Sequence, residues 1–241
     1  MLRCSAIRRL RATDLPATLT SRVPTVREVA LNVLVSEIAA CNACALASGR
    51  TATVPGEGLA SAKLMLVGEA PGAREDREGR PFAGASGTLL NQLLDGAGLS
   101  RNDVFITNTV KCRPPDNRDP RADEIASCST FLSRQIEAIS PQVVATLGRH
   151  ALAVFAPGAV IGEAHGAPYQ GERQNLDSGV ILFPLYHPAA ALHNGKLRPT
   201  LEEDMRALAA LLGAPARAEA GTATLYGTPQ EGVRAEVGRG G

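Results

Sequence analysis

Short uninterrupted apolar runs alternate along this chain with stretches whose apolar residues recur every three or four positions, the pattern of buried strands interleaved with amphipathic helices. Residues 64–67, 104–107, 142–147 and 180–185 are the predicted strands. None alternates apolar with polar, so each is read as a central strand covered on both faces, which predicts an α/β fold around a parallel sheet. Thr25 and Glu28 form a capping box for a helix carrying Val26, Val29, Ala30, Val33, Leu34 and Ile38. Ser86 is the expected cap of a second helix, with Leu89, Leu90, Leu93 and Leu94 on one face. Ile125, Cys128, Phe131, Leu132 and Ile136 mark a third, a short one runs from His150 to Phe155, and Thr200 with Glu203 predicts the cap of a closing helix through Leu211. Residues 156–178, rich in Gly, Pro and polar groups, read as surface chain, where His165 has no evident partner.

The strand at 64–67 breaks at Gly68 into a loop held in turns by Pro71, Gly72, Gly79, Pro81, Gly84 and Gly87. Open α/β sheets bind ligands beyond the carboxyl ends of their strands, so the site is expected here. The order G-E-A-P-G lacks the Lys-Ser/Thr pair of a P-loop and the glycine spacing of a dinucleotide fingerprint. A solvated Gly-rich connection is the plain alternative. What favours a site is Phe82, an exposed-looking ring in a chain only 3% aromatic, because a loop aromatic beside backbone donors is how a flipped base is stacked.

The 241 residues suffice for one substantial core, expected over residues 25–213, between a flexible N-terminal extension (1–24) and a disordered tail (214–241). The Arg-rich head also has the look of a transit peptide, but an extension is the preferred reading and a cytoplasmic location the expectation. A net charge of +1 gives no global attraction to nucleic acid, and no apolar run is long enough to span a bilayer. The odd set of five cysteines argues for thiolate ligands rather than a disulfide scaffold. Cys41 and Cys44 form a C-x-x-C, Cys112 and Cys128 supply a second pair, and Cys4 stands apart. Four thiolates suit either tetrahedral zinc or a cubane iron–sulfur cluster, and the spacing leaves both open.

Around that second pair, Lys111, Arg113, Arg118 and Arg121 make a local group of cations that reads as phosphate contacts or, with Asp116, Asp119 and Asp123, as a salt-bridged surface. His150 is read as a surface or capping residue. Three strand ends bring Glu69 with Phe82, Asn108, and His187 to one sheet edge: a ring to stack, an amide to read, an imidazole to stabilise negative charge. Together they predict a pocket for a nucleobase.

GEAPG with ED and GRPFAG downstream, NTVKC, and YHPAAAL are similar to the motifs of the family 4 uracil-DNA glycosylases, the iron–sulfur members of the uracil-DNA glycosylase superfamily. The resemblance runs from about Val26 to Leu212 and implies a three-layer α/β/α sandwich around a parallel four-stranded sheet. It also implies a structural [4Fe-4S] cluster on Cys41, Cys44, Cys112 and Cys128, and a monofunctional enzyme that flips uracil from single- or double-stranded DNA and hydrolyses its glycosidic bond, opening base excision repair. On that reading Asn108 reads the base edge, Phe82 stacks on it, Glu75 excludes the thymine methyl, and His187 donates to uracil O2, with Gly68 and Ala70 lining the pocket. Ala70 stands where better-known relatives carry a water-activating Asp. Glu69 is therefore the candidate for holding the water, with Asp76 behind it, or else it chiefly orders the loop, and Leu192 is a candidate wedge into the base stack or a plain hydrophobic contact. A monomer is expected, and a catalytically inactive iron–sulfur nucleic-acid-binding module is the alternative.

Overall fold

The computed structural model describes residues 23–214, so the head, the tail and Cys4 fall outside the described residues apart from the few positions at the junctions. The sheet contains β1 (Glu57–Gly58), β2 (Leu64–Gly68), β3 (Phe105–Asn108), β4 (Val143–Leu147) and β5 (Ile181–Leu185), in the order β1-β3-β2-β4-β5. The four predicted strands are parallel, and β1 adds a short antiparallel edge against β3 that the sequence reading did not foresee. Two residues ending in glycine carry no strand signal of their own.

Helices cover both faces: α1 (Val26–Ala40), α2 (Ala73–Glu78), α3 (Ala85–Gly96), α4 (Ala122–Ile139), α5 (Arg149–Phe155), α6 (Ile161–Ala164), α7 (Pro188–His193) and α8 (Arg198–Leu211). Side chains of a strand point alternately to its two faces, and β2 shows the division. Leu64 and Leu66 pack with Leu90 and Leu94 of α3 and Met205 and Leu208 of α8, whereas Met65 and Val67 pack with Leu132 and Ile139 of α4 and Leu152 and Phe155 of α5. Every side chain of β2, β3 and β4 is buried. The result is the three-layer α/β/α sandwich.

Several boundaries differ from expectation. α1 begins at the predicted capping box, where Glu28 N–H donates to Thr25 Oγ1 at 3.3 Å. Only Leu34 and Ile38 are buried, however, and Val26, Val29 and Val33 are exposed, because α1 rests on α4 along a single stripe. Gly84, not Ser86, is the N-cap of α3. Its free N–H donates to the Glu75 carboxylate at 2.8 Å, so a side chain from α2 replaces the local cap. α8 starts at Arg198 with a proline in its first turn, which leaves Thr200 inside the helix and removes the predicted cap there. α2 lies wholly within the stretch read as loop, and α6 within the stretch read as surface chain.

Candidate active site

The carboxyl ends of β2, β3 and β5 open onto one cleft of about 450 Å3, lined by Glu69, Ala70, Glu75, Phe82, Asn108 and His187 among others. That size falls within the usual range for small-ligand sites, roughly 300–1,000 Å3. Parallel pairing sets Gly68 directly beside Asn108. A Cβ at Gly68 would lie 2.4 Å from Asn108 Oδ1 and 2.8 Å from Phe82 Cζ, so the glycine lets the amide and the ring close over the strand end. The ladder continues past the strands: Thr109 N–H donates to Gly68 O at 2.9 Å and Val110 N–H to Glu69 O at 3.2 Å. Thr109 Oγ1 adds a 2.6 Å bond to Glu69 O. Glu69 is thereby fixed to the NTVKC segment by backbone, not by side-chain chance.

Asn108 is buried, and among the described residues no protein group hydrogen-bonds its amide. Its carbonyl is held from behind by Lys111, whose Nζ donates to Asn108 O, Thr107 Oγ1 and Gln135 Oε1, each at 2.7 Å. Lys111 is 1% exposed, and burial pushes its ammonium down to about 7. It is not a phosphate ligand, contrary to the reading of the basic loop. Arg118 is likewise engaged, in a two-pronged pair with buried Glu124 at 2.7 and 2.8 Å, and Arg113 donates to Asn117 Oδ1 at 2.8 Å. Among the described residues, only Arg118 of this group makes a salt bridge, and its partner is Glu124 rather than Asp116, Asp119 or Asp123.

His187 precedes α7, and its Nδ1 accepts the Ala189 N–H at 3.1 Å. An imidazole whose Nδ1 accepts carries its proton on Nε2, so this bond selects the neutral tautomer that can donate from Nε2. Burial holds the ring down to about 4, with the Glu75 charge pulling the other way. The ring stacks on Phe82 at 5.6 Å between centroids. Phe82 is therefore 7% exposed rather than displayed, packed between core and cleft in a backbone conformation with φ +51°. Glu75 is equally fixed: its Oε2 accepts from Gly72 N and its Oε1 from Gly84 N, at 3.2 and 2.8 Å.

Four thiols gather next door. Cys41 and Cys44 follow α1, Cys112 follows β3, Cys128 lies on α4, and all four line one small apolar cavity with Arg50, Lys111 and Phe131. They are free cysteines. Arg50 Nη1 donates to Cys41 O at 2.7 Å and to Cys112 Sγ at 3.4 Å. Burial raises the Cys112 and Cys128 thiols, opposed by Arg50 at the first and by Lys111 at the second. Among the described residues, the one set of three His, Cys, Asp or Glu ligand atoms lying within 4.8 Å of one another is Glu69, Asp119 and His150, so no three of these sulfurs are that close. Ala70 packs against the cysteine group from the side of the cleft.

A family model described as the uracil DNA glycosylase superfamily matches residues 55–213. A type-4 uracil-DNA glycosylase of Sulfurisphaera tokodaii is 47% identical over 193 residues, covering 78% of this chain and 87% of that protein. Type-4 enzymes of Archaeoglobus fulgidus and Thermotoga maritima are 43% and 40% identical, over 76% and 74% of this chain and 94% and 93% of their own. The chain belongs to this family.

Measured against the family's expected site, Glu69, Ala70, Glu75, Phe82, Asn108 and His187 converge on the cleft, while Gly68 acts beneath it. Asp76 is not among the residues lining the cleft. Its carboxylate accepts the Thr51 N–H at 3.0 and 3.1 Å and so ties α2 to the chain leaving the cysteines. Leu192, on α7, is 51% exposed, as a wedge requires. Asn117 and His193 also line the cleft and went unnoticed in the sequence. The signal for Asn117 was the P-P-D-N run: Asp116 and Asn117 both take left-handed backbone, with φ of +53° and +54°. His165 does have a partner, Asp204 Oδ2 at 2.8 Å, far from it in sequence.

Proposed function

We propose that this protein excises uracil from DNA by hydrolysing the N-glycosidic bond, leaving an abasic site. The observation that carries the reading is the pairing of an Asn108 amide free of protein partners with a neutral His187 whose Nε2 proton is available, across one cleft. Uracil offers N3–H as a donor and O4 as an acceptor. Asn108 Oδ1 takes the first and Nδ2 gives to the second, whereas cytosine presents the reverse pattern and would leave buried groups unpaired. Phe82 supplies the stacking surface. The Glu75 carboxylate, pinned by two backbone amides, forms a rigid wall where the thymine methyl would have to go.

As the C1′–N1 bond breaks, its electron pair moves onto the base and charge grows at uracil O2. His187 Nε2–H donates there, and a preorganised donor of this kind contributes about 3–4 kcal/mol to the transition state. A neutral donor fits the task because its bond strengthens as the anion forms. Water held by Glu69 adds its oxygen to C1′ and gives up a proton, while the uracil anion takes one from solvent. The DNA strand is recognised with Leu192 as the candidate wedge. A mere binding module would have no use for an imidazole held neutral opposite an amide reader.

The four cysteines are read as ligands of a [4Fe-4S] cluster. Four thiolates suit zinc or a cluster alike, and the resemblance to the iron–sulfur glycosylases is what selects the cluster. The apolar shell, the half-buried Arg50 guanidinium and the buried Lys111 amine would face its negative charge. The cluster would pin the C-x-x-C loop, the NTVKC segment and α4 together, a structural service.

The test is a gel assay of oligonucleotides carrying one U, with C and T controls, treated with alkali after incubation. Uracil-dependent cleavage is expected, on either single or double strands, and Asn108→Ala should lower its single-turnover rate on the order of 100-fold or more. Folded, cluster-loaded protein without such cleavage overturns the reading.

A further inference from the structure

Glu69 does not face the cleft alone. Its Oε2 lies 3.9 Å from His150 Nε2, which is itself 3.3 Å from Asp119 Oδ2, so three segments of the chain converge there: the β2 end, the loop before α4, and the first turn of α5. All three ligand atoms fit within 4.8 Å. Glu69 is 26% exposed at its side chain, less than either partner. Arg149 closes the group, donating from Nε to His150 Nε2 at 2.8 Å with its Nη2 3.7 Å from Asp119. Of the other titratable groups lining the cleft, Arg118 pairs with Glu124, Glu75 accepts from two amides, neutral His187 accepts from Ala189, and His193 lies on α7.

One contact pattern sets the logic. His150 Nε2 faces both a donor, Arg149 Nε, and an acceptor, Asp119 Oδ2. A nitrogen that accepts from Arg149 has no proton to give to Asp119, so the two contacts belong to different tautomers or protonation states of the ring. Protonation turns an N–H towards the carboxylates.

We infer that His150 and Asp119 are positioning residues for Glu69, setting the orientation and charge of the carboxylate that holds the attacking water. The inference rests on the glycosylase reading above. Burial raises the Glu69 carboxyl, His150 and Arg149 draw it back down, and the like charge of Asp119 raises it. Removing one partner or the other therefore has opposite consequences. Without His150, Glu69 faces Asp119 with less compensation and binds its proton more readily. Without the Asp119 charge, it holds its proton less tightly.

The experiment measures single-turnover uracil release from pH ~4.5 to ~9 for wild type, Glu69→Gln, His150→Ala, His150→Gln and Asp119→Asn. In parallel, carboxyl 13C NMR follows Glu69, assigned through the Glu69→Gln spectrum. The acidic limb should move up by ~0.5 pH unit in His150→Ala and down by a similar amount in Asp119→Asn, the scale of interactions between partly exposed charges. His150→Gln should follow His150→Ala, and the limb should vanish in Glu69→Gln. A purely structural role lowers rates without moving the limb. Coincident limbs, shifts in one direction, or a limb retained in Glu69→Gln overturn the inference. A fixed NMR titration refutes it whether or not uracil is released, whereas opposed NMR shifts in a protein that releases no uracil refute the glycosylase reading instead.

Discussion

Gly68→Ala adds one methyl group at the point where the cleft is most tightly closed. Gly68 is extended strand backbone that alanine adopts without strain, so the substitution acts through contact alone. Its Cβ would stand 2.4 Å from Asn108 Oδ1 and 2.8 and 2.9 Å from Phe82 Cζ and Cε2, against an ordinary contact of 3.4–4 Å. The amide must retreat by about 1 Å, and the ring by about half that. A displacement of ~1 Å in a reacting constellation costs on the order of 100-fold in rate. Overpacking a tight site costs about 1–3 kcal/mol of stability, hence a fall in Tm of a few degrees for a domain of this size. The assay is single-turnover uracil release over a range of enzyme concentrations, with Tm from thermal unfolding. Gly96→Ala is the control, since a Cβ there meets nothing within 4 Å and the position lies at the far end of α3. Gly68→Ala with wild-type rate and half-saturation would show that Asn108 and Phe82 do not need their observed places, and the pocket argument would fail.

His187→Ala should lower the rate by roughly 100- to 1,000-fold, the usual cost of one anion-stabilising donor, with the far-UV circular dichroism spectrum unchanged. The same histidine makes stability pH-dependent. Its folded value of about 4 lies below its unfolded value of about 6.5, so the unfolded chain binds more protons between the two and stability falls on acidification through that window. Denaturant titrations at several pH values should show a smaller slope there in His187→Asn. Glu124 acts in the same direction at lower pH: Arg118 holds its carboxyl down to about 2 from a model-peptide value near 4.5, so its stabilisation is present above ~4.5 and is lost as pH falls towards ~2. Glu124→Gln should flatten the stability profile across that acid range, and an unchanged profile would remove the pair from the account.

Much of the site was legible because central parallel strands are apolar throughout. Three of them have a polar residue at or just past the carboxyl edge, with Asn108 closing β3, Glu69 just after β2 and His187 two residues past β5, which is how these three were found together from sequence. What escaped detection lacks a local signal. α2, with the sequence AREDRE, has no apolar stripe, and its place is set by Glu75 and Asp76 reaching backbone amides outside it. His165 and Asp204 meet only when α8 folds against the segment before β5. His150 looked like a capping residue because its partners, Glu69 and Asp119, come from two distant segments. The cations of the basic loop illustrate the reverse error: their charge was visible, but not that Lys111 turns inward and Arg118 is taken by Glu124.

Lys111 also bears on how this protein can change. One ammonium group clasps the backbone carbonyl of Asn108, while the next residue along the chain is Cys112. Drift in the cysteine-bearing loop would therefore be transmitted to the amide proposed to read the base edge. On the glycosylase reading, a lineage that remodels the cysteine-bearing loop must keep a support for this carbonyl, or the side-chain amide beside it loses its place in the cleft.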